Sequence, residues 1–194
     1  MILVYVNSSN GLSKAALETV TYAKKLGNEV VVLTNGKASS ESLTCLGEYG
    51  ATKVLVDRMV DGEDSQQLTR LISAVVQNIG AKTVIFSHDL IGKAVAPRLS
   101  VRLQAGLIAG AISIPDADGA VKVNVFSGKA IGNVKVSSAI KIISLLPNSI
   151  QPEKTGTNCP VEETNGLGGT AAIKVISTKK PEGEIPLPEA ELVV

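Results

Sequence analysis

The chain has 194 residues, 44% of them hydrophobic, and a mean hydropathy of +0.25; it is long enough for one domain with a sizeable core and too apolar for a disordered chain. Nineteen basic residues balance eighteen acidic ones, so no field of one sign exists to recruit nucleic acid or an anionic membrane. Aromatics make up 3% and tryptophan is absent, which argues against base-stacking platforms and leaves Val, Ile, Leu and Ala to build the core, as in strands buried on both faces of an α/β sheet.

Ile2 to Val6 is an apolar run that empties into Asn-Ser-Ser-Asn-Gly, a buried first strand with a polar loop at its C-terminal end. Leu12, Ala15, Ala16, Thr19, Ala23 and Leu26 recur at helical spacing, and Gly27 closes the pattern. A second strand is expected over Glu29 to Leu33, a second helix over Ser39 to Tyr49 with Gly50 behind it, and a third strand over Lys53 to Val56. Asp64 with Gln67 resembles a capping box, ahead of a helix whose apolar face is Leu68, Leu71, Ile72, Val75, Val76 and Ile79. Thr83 to Phe86 reads as a fourth strand and Ala94 to Leu103 as a helix that Pro97 either starts or kinks. The order βαβαβαβα implies a mainly parallel sheet with helices on both faces, a three-layer αβα arrangement with right-handed crossovers.

The pattern then changes. Leu107 to Ile114 is an apolar strand, Pro115 to Gly119 a turn, and Val121, Val123 and Val125 alternate with polar residues as in a half-exposed antiparallel strand. Ala130 to Val136 and Ala139 to Leu145 read as two further strands, so this half is expected to be a β-meander extension of the sheet. From Pro147 to about Gly169 the chain is polar and irregular, Ala171 to Ser177 reads as a late strand, and Lys179 to Pro188 as a Pro- and charge-rich linker. The expected division is an α/β domain over 1–178 and a linker with lead-in over 179–194. Cys45 and Cys159 belong to no CxxC pair and read as free thiols of a reducing compartment. The start MILVYVNSS lacks the basic region of a signal peptide, and no segment approaches a membrane span, so the expected location is the cytoplasm.

Motifs for catalysis are weak. No Walker loop occurs, and Gly166-Leu-Gly-Gly reads as a loop. The loop after the first strand, with Asn7 and Ser8, and the turn after the fourth, with His88 and Asp89, sit where open α/β sheets bind ligands and could share a crevice. The alternatives are a polar loop capping the first helix and a histidine satisfied by hydrogen bonds. A lone histidine with one acid and no nucleophile motif is not a triad, and no His/Cys cluster supports a metal site; no catalytic residue is assigned. Arg98 and Arg102 lie four apart on one helix face and could grip a phosphate or a partner carboxylate, or be solvated. Gly128 and Lys129 sit at a bend between strands, surface or interface.

The segment HDLIGKAVAPRLSVRLQAGLIAGAI resembles the electron-transfer flavoprotein alpha subunit, with Gly92, Lys93, Pro97, Arg98, Leu99, Leu103, Gly106 and Leu107 at matching positions. Val125 to Ile131 is similar to that family's Tyr-Ala-Gly-Asn-Ala motif, Lys141 to Pro147 to its Thr-Val-Arg-Pro strand, and Leu187 to Val194 to the lead-in of its flavin domain. The resemblance implies an adenine-nucleotide-hydrolase-like α/β fold, a heterodimer with a beta subunit, and an electron carrier rather than an enzyme. It further implies FAD in the full-length protein and electron flow from dehydrogenases to a quinone-linked oxidoreductase. The family's Ser-Gly-Gly-Arg-Gly flavin motif would begin just after Val194, so an N-terminal domain without FAD is expected, in the cytoplasm or, for a eukaryote, the mitochondrial matrix. Leu146 stands where the family has Arg, Gly110 where it often has Asp, and Lys129 where it has Asn, which alters groups that could reach a partner; Arg98, Gly128 and Lys129 are the partner-interface candidates. The competing readings are a standalone adenine-nucleotide-binding module that uses the Asn7 and His88 loops, and a small α/β hydrolase.

Overall fold

The computed structural model describes residues 1–9, 11–27, 29–60, 64–174 and 176–177. The linker and lead-in expected over 179–194 lie outside these. The first half follows the expected alternation. Strands β1 (Ile2–Asn7), β2 (Val30–Asn35), β3 (Lys53–Asp57) and β4 (Thr83–Ser87) are parallel neighbours in the order β4-β1-β2-β3. Their apolar residues divide by parity, because successive side chains leave a strand on opposite faces. Val4 and Val6 of β1 pack towards helix α1 (Lys14–Leu26), whereas Leu3 and Tyr5 pack towards α3 (Ser65–Ile79) and α4 (Leu90–Leu103). Two cores thus lie on either side of one sheet, the three-layer αβα fold expected.

Helix α1 is capped by Ser13, whose hydroxyl accepts the Ala16 N–H, and not by the loop after β1. The second helix is split into α2 (Ser40–Thr44) and a 3-10 turn, Cys45–Tyr49. A crossing chain lies against the 3-10 turn and requires glycine there: a Cβ on Gly47 would stand 2.3 Å from Thr157 O and 2.4 Å from Cys159 N. Helix α4 begins four residues before the expected start, at the Asp89 cap, so Pro97 is interior to it. The missing N–H leaves the Lys93 carbonyl without its intrahelical donor, on an exposed side of the helix where water can replace it.

The second half departs further. Strands β5 (Gly106–Ala111), β6 (Val121–Val125) and β7 (Ala130–Val134) form an antiparallel ribbon. The strand expected to continue it, β8 (Lys141–Leu145), instead lies parallel between β4 and β5. Its four consecutive buried residues Ile142 to Leu145 explain the choice, since a strand buried on both faces belongs in the middle of a sheet and an alternating one at its rim. The stretch read as irregular contributes β9 (Val161–Glu163), paired parallel to β3, and gives the strand order β7-β6-β5-β8-β4-β1-β2-β3-β9. The strand expected over 171–177 does not form among its described residues. Residues 168–172 run along α3: the Gly168 and Thr170 carbonyls accept from the Arg70 guanidinium, and the Ala172 N–H donates to Asp64.

Candidate functional site

The carboxyl ends of the parallel strands carry the polar residues singled out above. Pairing of β1 with β4 covers Ile2 to Val4 against Thr83 to Ile85 and ends there, so the strand ends separate at the point where the sheet order reverses. Asn7 and Ser8 stand on one side of this opening and His88 and Asp89 on the other. Among the described residues no hydrogen bond joins the two pairs.

Each of the four is held by its own neighbours. Asn7 Oδ1 accepts from the Ser9 N–H at 3.1 Å and the Ser9 hydroxyl at 2.8 Å. Buried Ser8 donates to Asn35 O at 3.0 Å and accepts from Thr34 Oγ1 at 2.7 Å. Asp89 Oδ1 accepts the Gly92 N–H at 2.8 Å and caps α4. Helix α4 comes so close to β4 here that a Cβ on Gly92 would stand 1.9 Å from Ser87 O, which is why glycine occupies the position.

His88 is half-buried, and its Nδ1 lies 2.9 Å from Ser144 Oγ. The same hydroxyl oxygen accepts the Gly110 N–H at 3.2 Å. With Ser144 donating its hydrogen to Nδ1, the ring proton is assigned to Nε2. Burial pushes the His88 pKa down, Lys93 pushes the same way and Asp89 opposes them, so the neutral ring is favoured. Gly110 sits at a register shift of β5 with φ +72°, and a Cβ there would meet the ring at 3.7 Å. Ser144 was missed in the sequence reading; the signal for it is one hydroxyl inside the apolar run IISLL, which a buried strand tolerates only when bonded.

The other candidates lie apart. Gly128 and Lys129 are exposed at the β6–β7 turn, where Phe126, Ser127 and Gly128 all have positive φ. Arg98 is on the outer surface of α4. It lines, with Arg102 of the same helix and Gln66, Thr69 and Arg70 of α3, a groove of about 390 Å3. Neither the sequence spacing nor the cap signals point to Arg70 as a member of that group, because α3 and α4 meet only through the fold. Cys45 and Cys159 are free thiols, with burial as the main cause of a raised pKa for each. Among the described residues no group of three His, Cys, Asp or Glu side chains could hold a metal, and no helix is long and apolar enough to cross a membrane.

Residues 2–177 match the family model described as the electron transfer flavoprotein domain. The electron transfer flavoprotein subunit alpha of Bacillus subtilis (strain 168) is 28% identical over 180 residues, covering 86% of this chain and 53% of that protein. The corresponding subunit of Syntrophomonas wolfei is 26% identical, covering 90% of this chain and 54% of its own. A probable mitochondrial subunit alpha of Caenorhabditis elegans is 25% identical, covering 83% and 49%. The chain thus spans about half the length of the curated relatives it matches. With the family model covering nearly all of its described residues, this chain belongs to the electron transfer flavoprotein family.

Proposed function

We propose that this chain is the scaffold and assembly domain of an electron transfer flavoprotein alpha subunit. In this reading the full-length alpha subunit pairs with a beta subunit, carries FAD, and passes electrons from dehydrogenases to a quinone-linked respiratory acceptor. The flavin supplies the redox chemistry, and the present domain positions its partners without transforming a substrate. It works in the bacterial cytoplasm, or in the mitochondrial matrix of a eukaryote.

The observation that carries this reading is the family match over residues 2–177. The chemistry of the strand ends supports assigning the flavin to the rest of the longer chain. The carboxylate of Asp89 is engaged by the cap of α4, Ser8 by Thr34 and Asn35, and the His88 Nδ1 by Ser144. Of these three side chains only the His88 Nε2–H remains as a donor, whereas a pyrophosphate calls for several converging ones. The partner contacts are assigned to Arg98, Gly128 and Lys129.

The test is to purify the 194-residue chain alone and the full-length alpha subunit with its beta subunit, and to record visible flavin absorption from each. The chain alone is expected to be colourless and the complex yellow. Stoichiometric FAD on the chain alone, lost in His88→Ala, would overturn the assignment in favour of a nucleotide site at the strand ends. Titrations with AMP and ATP on the same samples distinguish a standalone nucleotide module.

A further inference from the structure

Several basic side chains of this molecule stand against carboxylates. Lys25 pairs with Glu153, Lys53 with Glu162, Arg58 with Glu163 and Lys154 with Glu48, at 2.6 to 3.4 Å. The layer formed by α3 and α4 is different. Between their caps these helices carry Arg70, Lys93, Arg98 and Arg102 and no carboxylate. Among the described residues neither Arg98 nor Arg102 has an ion-pair partner. In a chain of nearly balanced charge this is a local concentration of cations, and like charges four apart on a helix repel.

We propose that the groove between α3 and α4 is a binding site for a multivalent oxyanion, held by Arg70, Arg98 and Arg102. Three features of the groove lead there, and none depends on the family. The groove is open to solvent and offers about 390 Å3, room for a small anion. Its first guanidinium is preorganised: Arg70 Nε donates to Gly168 O at 2.9 Å and Nη2 to Thr170 O at 2.6 Å, which fixes the group at the α3 wall. The other two are the i and i+4 residues of one helix and reach the groove from the opposite wall. Planar guanidinium forks from two walls suit an anion with several oxygens, whether a polyphosphate or a polycarboxylate. Thr69 and Gln66 add neutral polar groups at the rim, and Val101 forms the apolar side. No aromatic lines the groove, so a stacked nucleobase is not part of the ligand.

Isothermal titration of the 194-residue chain at low salt, with tripolyphosphate in one arm and citrate in the other, tests the site. Saturable binding of one equivalent is expected, weakened about tenfold by Arg98→Ala or Arg102→Ala and abolished by Arg98→Glu with Arg102→Glu. Binding in the first arm alone identifies the source as phosphate, in the second alone as carboxylate, and comparable binding in both as an oxyanion site without selection; all three support the site. Lys122→Ala, on the exposed side of β6, leaves the affinity unchanged. No saturable binding in either arm, or equal affinity in the charge-reversed variant, overturns the proposal. All three substituted side chains are exposed, and a thermal melt of each variant confirms that the loss is not one of folding.

Discussion

Helices α3 and α4 lie side by side on the same face of the sheet and are made differently. The inner face of α3 is Leu68, Leu71, Ile72, Val75 and Val76, while Gln66, Gln77 and Asn78 face water. A buried aspartate starts it and Gly80, at φ +66°, ends it. Helix α4 buries Val95, Ala96 and Leu99 yet leaves Leu90 85% and Val101 80% exposed, carries a proline inside, and ends on Gln104 at φ +50°. The contrast teaches that one-sided amphipathicity states both that a helix exists and which way it faces. When apolar residues surround the helix, the sequence still signals a helix but not its orientation.

The largest expected effect separates the two sides of α4. Leu99→Ala should destabilise the domain by about 3 to 4 kcal/mol, because its side chain is fully enclosed, whereas Val101→Ala two residues on should stay within about 0.5 kcal/mol. Urea unfolding of both variants checks the orientation of the helix, and equal costs would contradict it. Next come the glycines. Gly92→Ala forces a carbon into the Ser87 carbonyl and should cost about 2 to 3 kcal/mol, whereas Gly80→Ala has free space and bears only the left-handed backbone penalty of about 1 kcal/mol. Thermal melts of the pair would show whether α4 sits as close to β4 as described.

The helix caps give the third and smallest contrast. Asp64 is buried and accepts the N–H groups of Gln66, Gln67 and Ala172, whereas exposed Asp89 accepts one, from Gly92. Alanine should cost about 2 kcal/mol at Asp64 and about 1 at Asp89. Burial alone would raise the Asp64 pKa, but hydrogen bonds from Gln67, Ala172, Gln66 and Ile173 together outweigh it and hold the carboxyl below the usual aspartate range. A depressed folded value means that stability is fully present above the unfolded pKa and is lost as pH falls through the folded one. Asp64→Asn should therefore flatten the acid limb of the stability curve, as measured by unfolding at a series of acidic pH values; an unchanged limb would assign that limb to other groups.

Much of the first half was legible in the sequence. Apolar runs Ile2 to Val6 and Thr83 to Phe86, the α3 face and its Asp64 cap carry their own local signals, and each formed as expected. The site was legible in part. Asn7, Ser8, His88 and Asp89 do stand at the carboxyl ends of β1 and β4, but the crevice reading supplied none of their partners. His88 is hydrogen-bonded to Ser144, 56 residues later, and the same hydroxyl takes the N–H of Gly110, which looks like any other strand glycine in the sequence.

The sequence by itself determined the alternation of strands and helices, the face each amphipathic element buries, and the residues at which the chain turns. Those follow from periods of two and 3.6 residues and from backbone preferences, which are properties of a few neighbouring positions. Only the tertiary structure decided that β8 enters between β4 and β5, that β9 extends the edge beyond β3, which side of α4 meets the sheet, and that Arg70 joins Arg98 and Arg102. These depend on contacts between residues far apart in the chain. Their energy comes from burying one specific surface against another, and no local pattern records which surface that is.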